Sequence, residues 1–168
     1  IAKKLNLPER EEISTAALLH DIGKVIIKIK LEHDYDALMS EIKEKELYLI
    51  DAEKSRFGID HAEIGEWLAR SWLLPEKLLE PIAFHHNVEK SNSQRIKTSA
   101  VHIADVLIKA SGFGSSGDDF VPRIQPIAWE SLRLNETLLK EIIEELEDNL
   151  VEAKNFSMEI QSKSEQQA

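Results

Sequence analysis

Apolar residues along this chain recur at intervals of three and four, and the β-branched alternation typical of strands is almost absent. A chain patterned this way buries its apolar surface by packing helix on helix, so the expected fold is all-α. With 168 residues, 42% of them hydrophobic, it can close a core and is about the size of one domain.

The periodicity divides the chain into segments. Pro8 in a first turn, followed by Glu9, Glu11 and Glu12, predicts a helix through Ile13, Ala16, Ala17 and His20 that Gly23 ends. VIIKI, residues 25 to 29, fits either a brief extended piece or a buried helical turn. Residues 34 to 57 predict one or two helices stopped by Gly58. Asp60 and Glu63 then form a capping-box pattern that launches a helix through Ile64, Leu68 and Trp72, terminated by Pro75. A helix over 76 to 87 carries Leu79, Ile82 and Ala83 inward, and VEKSNSQ, residues 88 to 94, reads as a polar loop. Ile96, Ala100, Ile103, Ala104 and Leu107 define the next inward stripe. GFGSSGDD, residues 112 to 119, reads as the most flexible segment, and a last helix runs from about Glu136 past Leu150 into the polar tail SKSEQQA. The expected division is a helical domain over residues 1 to 150 and a helix end with tail over 151 to 168. Because the chain opens on Ile1 and IAKKLNLPEREE reads as one helix running into the next, a fragment or processed form is expected.

Composition excludes several function classes. The formal net charge of -10 and pI near 5.1 argue against binding to a nucleic-acid duplex, whose affinity comes from clustered Lys and Arg. No cysteine is present, which removes disulfides and thiolate metal sites and fits a cytoplasmic location. No apolar run approaches the roughly 20 residues needed to cross a bilayer, so no membrane partner is expected.

The informative residues are polar ones placed where apolar ones belong. His20 and Asp21 close the hydrophobic run AALLHD, His61 shares a helical face with Ile64, Gly65 and Leu68, and His85 and His86 follow Ile82 and Ala83. Asp105 sits mid-helix among Val101, Ala104 and Ile108, where an ionised carboxylate costs several kcal/mol unless it is paired or metal-bound. Any one of these has an ordinary explanation as a hydrogen-bonded core residue. Together they favour a metal, and imidazole with carboxylate and no sulfur suits iron, manganese, nickel or zinc. Asp21 and Asp105 balance one divalent ion; a second would leave net positive charge suited to a phosphate. His33 reads as exposed, and His102, three positions before Asp105, reads either as a donor behind the site or as an ordinary histidine. Trp67, Trp72 and Trp129 read as core or domain-contact residues, and the stripe Ile142, Ile143, Leu146 and Leu150 as a face able to pack on a partner.

The order of these motifs resembles the HD superfamily of helical, metal-dependent phosphohydrolases, whose His-Asp pair is matched by His20 and Asp21. FGIDHAEIGEWLARSWLLPEKLLEPIAFHHN, residues 57 to 87, resembles the HDOD branch of bacterial signalling proteins, as does VHIADVLIKASGFGSSGDD, residues 101 to 119. The resemblance implies an HD-domain-like helical bundle and one or two divalent ions per chain. His20 and Asp105 would share one ion with Asp21, which would bridge to another held by His61 and by His85, His86 or both. Lys24, three residues after Asp21, would stabilise phosphate charge. The implied role is a regulatory domain with a retained metal centre and a protein partner or adjoining signalling domain. The alternative is an active phosphohydrolase cleaving a nucleotide or phosphodiester by a metal-bound hydroxide. Two departures qualify this. After His86 the chain reads NVEKSNSQRIK, where cyclic-dinucleotide phosphodiesterases carry Gly-Tyr-Pro. The further histidine and N-terminal helical half usual in such domains would fall upstream of Ile1.

Overall fold

The computed structural model describes residues 1–118 and 120–165, with side chains through residue 156. It comprises two compact units, Ile1–Arg133 and the segment from Leu134 onward. Every regular element among the described residues is helical. The first unit contains α1 (Arg10–Leu19), α2 (Ile22–Lys30), α3 (Glu32–Lys45), α4 (Leu49–Phe57), α5 (His61–Ser71) and α6 (Glu76–Phe84). A 3-10 turn at Val88–Lys90, α7 (Arg95–Ala110) and α8 (Pro126–Ser131) complete it. The second unit is α9 (Glu136–Glu165), which the Asn135 carboxamide opens by accepting from the Leu138 amide at 2.8 Å.

Helix boundaries follow from local chemistry. Both bonds of the Asp60/Glu63 capping box form, at 2.9 and 3.1 Å, and start α5. Gly58, at φ 74°, closes α4 in the left-handed conformation that a side chain would strain. Residues 34 to 57 resolve into two helices because Glu46 turns left-handed at φ 52°. VIIKI is helical, within α2.

Several expectations are corrected. Gly23 does not end a helix: α1 stops at Leu19, and Gly23 lies in the first turn of α2. Pro8 stands before α1 rather than inside it. The helix expected over 76 to 87 stops at Phe84. Ile96 is exposed on the first turn of α7, and Trp67 and Trp72 are exposed rather than core. The polar loop 88–94 conceals buried Val88 and Ser91. Within SKSEQQA the helix continues through Glu165, and residues 166–168 lie outside the described residues.

Two apolar clusters among the described residues pack within the first unit. Ala16, Ala69, Leu78, Leu79, Ile82 and Val101 join α1, α5, α6 and α7. Leu38, Ile42, Leu49 and Ala52 join α3 and α4. Each fully buried Leu or Ile contributes about 1.5–3 kcal/mol relative to exposure. The polar site is assembled where α2 crosses α5, and Gly23 makes that crossing close: a Cβ there would lie 1.9 Å from the His61 carbonyl oxygen. No described helix is long and apolar enough to cross a membrane.

Candidate metal centre

His20 and Asp21 occupy the junction between α1 and α2, where the break in the helix turns both side chains toward α5 and α7. His61 is the first residue of α5, and His85 and His86 follow α6. His85 keeps helical backbone angles, φ -61° and ψ -23°, and the His85 and His86 rings lie side by side with centroids 4.0 Å apart. Asp105 projects from the middle of α7.

The six side chains converge. Asp21 Oδ1 lies 3.3 Å from His61 Nε2 and 3.8 Å from His85 Nε2, while its Oδ2 is 3.4 Å from His20 Nε2. His20 Nε2 is also 3.7 Å from Asp105 Oδ1. One donor atom from each of Asp21, His61, His85 and His86 fits within 4.8 Å of the others. His61 Nε2 and His86 Nε2 are 2.9 Å apart. Two nitrogens each about 2.1 Å from one ion, at a right angle, stand about 3 Å apart.

The backbone and one carboxylate decide which ring nitrogens face the cluster. His20 Nδ1 donates to the Ala17 carbonyl at 2.6 Å, and His85 Nδ1 to the Ile82 carbonyl at 2.8 Å. A carbonyl only accepts, so in the neutral rings each Nε2 carries the lone pair. His61 Nδ1 reaches Glu53 Oε2 at 2.6 Å, and the same oxygen accepts the His61 amide at 2.9 Å. His20 Nε2, His85 Nε2 and Asp21 Oδ1 are buried and have no hydrogen-bond partner. Leaving a buried polar atom unsatisfied costs about 1–3 kcal/mol, so His85 Nε2 and Asp21 Oδ1, 3.8 Å apart, fit a cation held between them, and His20 Nε2 fits one on the Oδ2 side.

Charge organises the same region. Burial pushes the Asp21 carboxyl upward, but the His61 imidazole beside its Oδ1 and the His20 and Lys24 charges outweigh it and hold the group well below the usual range. Burial likewise opposes ionisation of Asp105, yet His20 and Lys109 bring it down to about 2. Burial lowers His20 and His61, but their carboxylate partners win and raise both. Burial and neighbouring imidazoles lower His85 and His86. The carboxylates that draw protons to His20 and His61 draw a divalent ion too, which competes with those protons.

Lys24 donates to Asp21 Oδ2 at 2.7 Å and to the Ser116 carbonyl at 3.0 Å. The segment 112–118, expected to be flexible, is therefore tied to the site, and Asp118 Oδ2 anchors it again by accepting the Leu49 amide at 2.7 Å; Asp119 lies outside the described residues. His102 stands behind the cluster, its Nδ1 donating to the His85 carbonyl at 2.8 Å and its Nε2 accepting the Gln125 amide at 3.1 Å. With both nitrogens used, His102 supports the His85 backbone. His33 is exposed, as expected.

Two residues escape sequence reasoning. Glu53 is wholly buried, although LIDAEKSRF reads as a solvated charged helix, and Lys109 pairs with Asp105 at 3.0 Å although it reads as an ordinary basic helix end. Their only sequence signals are the four-residue step from buried Leu49 to Glu53 and the four-residue step from Asp105 to Lys109. Glu53 fixes the ring of His61, and Glu53→Gln keeps the shape but removes the charge. The variant is expected to lose about 10–100-fold in metal affinity, measured by competition with a chromogenic chelator. Wild-type affinity would show that Glu53 only fills space.

A family model described as the HDOD domain matches residues 1–88. The chain belongs to the HDOD family. The matched stretch of this HDOD chain carries His20, Asp21, Lys24, Glu53, His61, His85 and His86, while Asp105 and Lys109 lie beyond it. An HDOD domain protein with unknown function from Geobacter sulfurreducens, known from a crystal structure, is similar with a TM-score of 0.76 and 26% identity. The match covers 90% of this chain and 54% of that one. An uncharacterized protein of Treponema pallidum (strain Nichols) is 36% identical over 73 residues, 42% of this chain and 14% of that protein. The HDOD chain thus spans less than two thirds of either relative.

Proposed function

We propose that this HDOD domain is a regulatory domain built on a divalent metal centre, with Asp21, His61, His85 and His86 as one set of ligands and His20 and Asp105 as further ligands on the other side of Asp21. The observation that carries the reading is that His85 Nε2 and Asp21 Oδ1, 3.8 Å apart, and His20 Nε2, 3.4 Å from the other Asp21 oxygen, are all buried and without hydrogen-bond partners. Nitrogen and oxygen donors of this kind suit iron, manganese, nickel or zinc. A regulatory role is supported by the route from the site to the surface. Lys24 joins Asp21 to the Ser116 carbonyl, and Asp118 joins the same segment to the start of α4, so a change at Asp21 reaches a loop able to meet a partner protein or an adjoining signalling domain.

A second reading, an active phosphohydrolase, is favoured by the two ammonium groups beside the carboxylates, Lys24 at Asp21 and Lys109 at Asp105. Bound ions would supply Lewis acidity and a water of lowered pKa. The chain's own part is to hold charge: Lys24 and Lys109 bind phosphoryl oxygens, while Glu53 and the Ala17 and Ile82 carbonyls keep the imidazoles oriented.

Elemental analysis of protein purified without chelators tests the centre. At least one equivalent of a divalent transition metal per chain is expected, and none after reconstitution would overturn the proposal. The loaded protein is then assayed on a phosphoester panel. Turnover that Asp21→Ala abolishes would replace the regulatory reading with the hydrolase; bound metal without turnover supports regulation.

A further inference from the structure

The cluster of histidines and aspartates faces two spaces of different size. On the His20, Asp21 and Asp105 side is a cleft of about 340 Å³, lined further by Phe113, Ser116 and Val121. On the His61 and His86 side is a chamber of about 50 Å³, walled by Lys24, Tyr48, Leu49 and Pro122. Lys109, Asp118 and Phe120 line both spaces.

The chamber combines strong charge with little room. Lys24 and Lys109 come from helices far apart in sequence, are 14% and 10% exposed, and both border it. The Asp118 carboxylate is engaged elsewhere, accepting the Leu49 amide at 2.7 Å and the Phe120 amide at 3.3 Å. One water position takes about 10–15 Å³, so the chamber holds about four atoms of that size, the three terminal oxygens and the bridging oxygen of one phosphate ester. The space suits a single phosphoryl group better than a sugar or a doubly esterified phosphate.

Resting on the metal-centre reading above, we infer that the ligand of this site is a phosphomonoester bound end-on, its terminal phosphoryl group in the chamber between Lys24 and Lys109 and its organic part in the cleft. Charge and size agree on the monoester. A terminal phosphoryl group carries about -1.5 to -2 at neutral pH and matches two ammoniums whose present partners, Asp21 and Asp105, the metal would engage, whereas a diester carries one negative charge and needs room on both sides of phosphorus. Phe113 and Val121 give the cleft an apolar wall for the organic part. Lys109 is thereby a specificity-determining residue, and it lies outside the 1–88 stretch that identifies the family.

The test is isothermal titration of the full, metal-loaded chain with inorganic phosphate, phenyl phosphate and dimethyl phosphate, with metal content measured on the same samples. Phosphate and phenyl phosphate are expected to bind, dimethyl phosphate at least about tenfold more weakly, because it forgoes a charge-assisted contact. Lys109→Gln is expected to weaken phenyl phosphate at least about tenfold, with Lys109→Arg retaining most of the affinity. Should the glutamine variant misfold by circular dichroism, Lys109→Met takes its place. Equal affinity for the diester, wild-type affinity in the lysine variant, or no phosphate binding by metal-loaded protein each overturns the inference while leaving the metal centre standing. Absence of metal removes the centre and this inference with it.

Discussion

Asp21→Ala is expected to strip the centre of metal while leaving the helices in place. Asp21 is the residue on which the others converge: within 3.8 Å its two oxygens face His20, Lys24, His61 and His85. Its backbone role survives the change, because the Lys24 amide still bonds to the carbonyl of residue 21. Removing the carboxylate takes away the negative charge that faces four of the other groups and leaves Asp105, on the His20 side alone, to balance an ion. Metal affinity should fall by more than the about 10–100-fold typical of losing a group that merely orients a ligand. Circular dichroism and elemental analysis of the same preparation check both halves of the expectation. A variant that keeps its metal would remove Asp21 from the centre.

The second large effect is structural. Gly23→Ala places a Cβ 1.9 Å from the His61 carbonyl oxygen, 2.8 Å from its carbon and 3.0 Å from the Gly65 amide nitrogen, all backbone atoms that cannot swing aside. Helices α2 and α5 must separate. Overpacking costs typically about 1–3 kcal/mol, and a backbone collision belongs at or above the top of that range. Against a total stability of about 5–15 kcal/mol this is a large fraction. Urea unfolding should show a markedly lower midpoint, with metal lost in parallel because Asp21 and Lys24 ride on α2 while His61 starts α5. Gly58→Ala is the control: nothing lies within 4 Å of its Cβ position, so the cost is the left-handed backbone alone, about 1–2 kcal/mol. Equal destabilisation by the two substitutions would refute the close-crossing account.

Much of the candidate site was legible before the fold. His20, Asp21, His61, His85, His86 and Asp105 each interrupt an apolar stripe, and a titratable group on an inward face demands a partner. Whether both histidines of the 85–86 pair face inward was not legible, since adjacent residues on a continuous helix point about 100° apart. The packing of α5 against the pair decides it, with His86 Nε2 2.9 Å from His61 Nε2. Glu53 was hidden by its neighbours: Asp51, Lys54 and Arg56 make its helix read as solvated, and its burial depends on His61 arriving from the next helix. Gly23 was misread for a related reason. A glycine after an apolar run serves equally as a helix terminator or as a point of close approach, and only the crossing with α5 distinguishes them.

The amino-acid sequence alone determined the all-helical class, the family and the inward-facing polar groups, because periodicity and capping act within a few residues of the chain. Tertiary structure decided what those groups meet: Glu53 behind His61, Lys109 on Asp105, Lys24 joined to the 112–118 segment, and the small chamber set against the larger cleft. Those are contacts between residues tens of positions apart. Their pairing depends on how helices cross, and no local pattern encodes it.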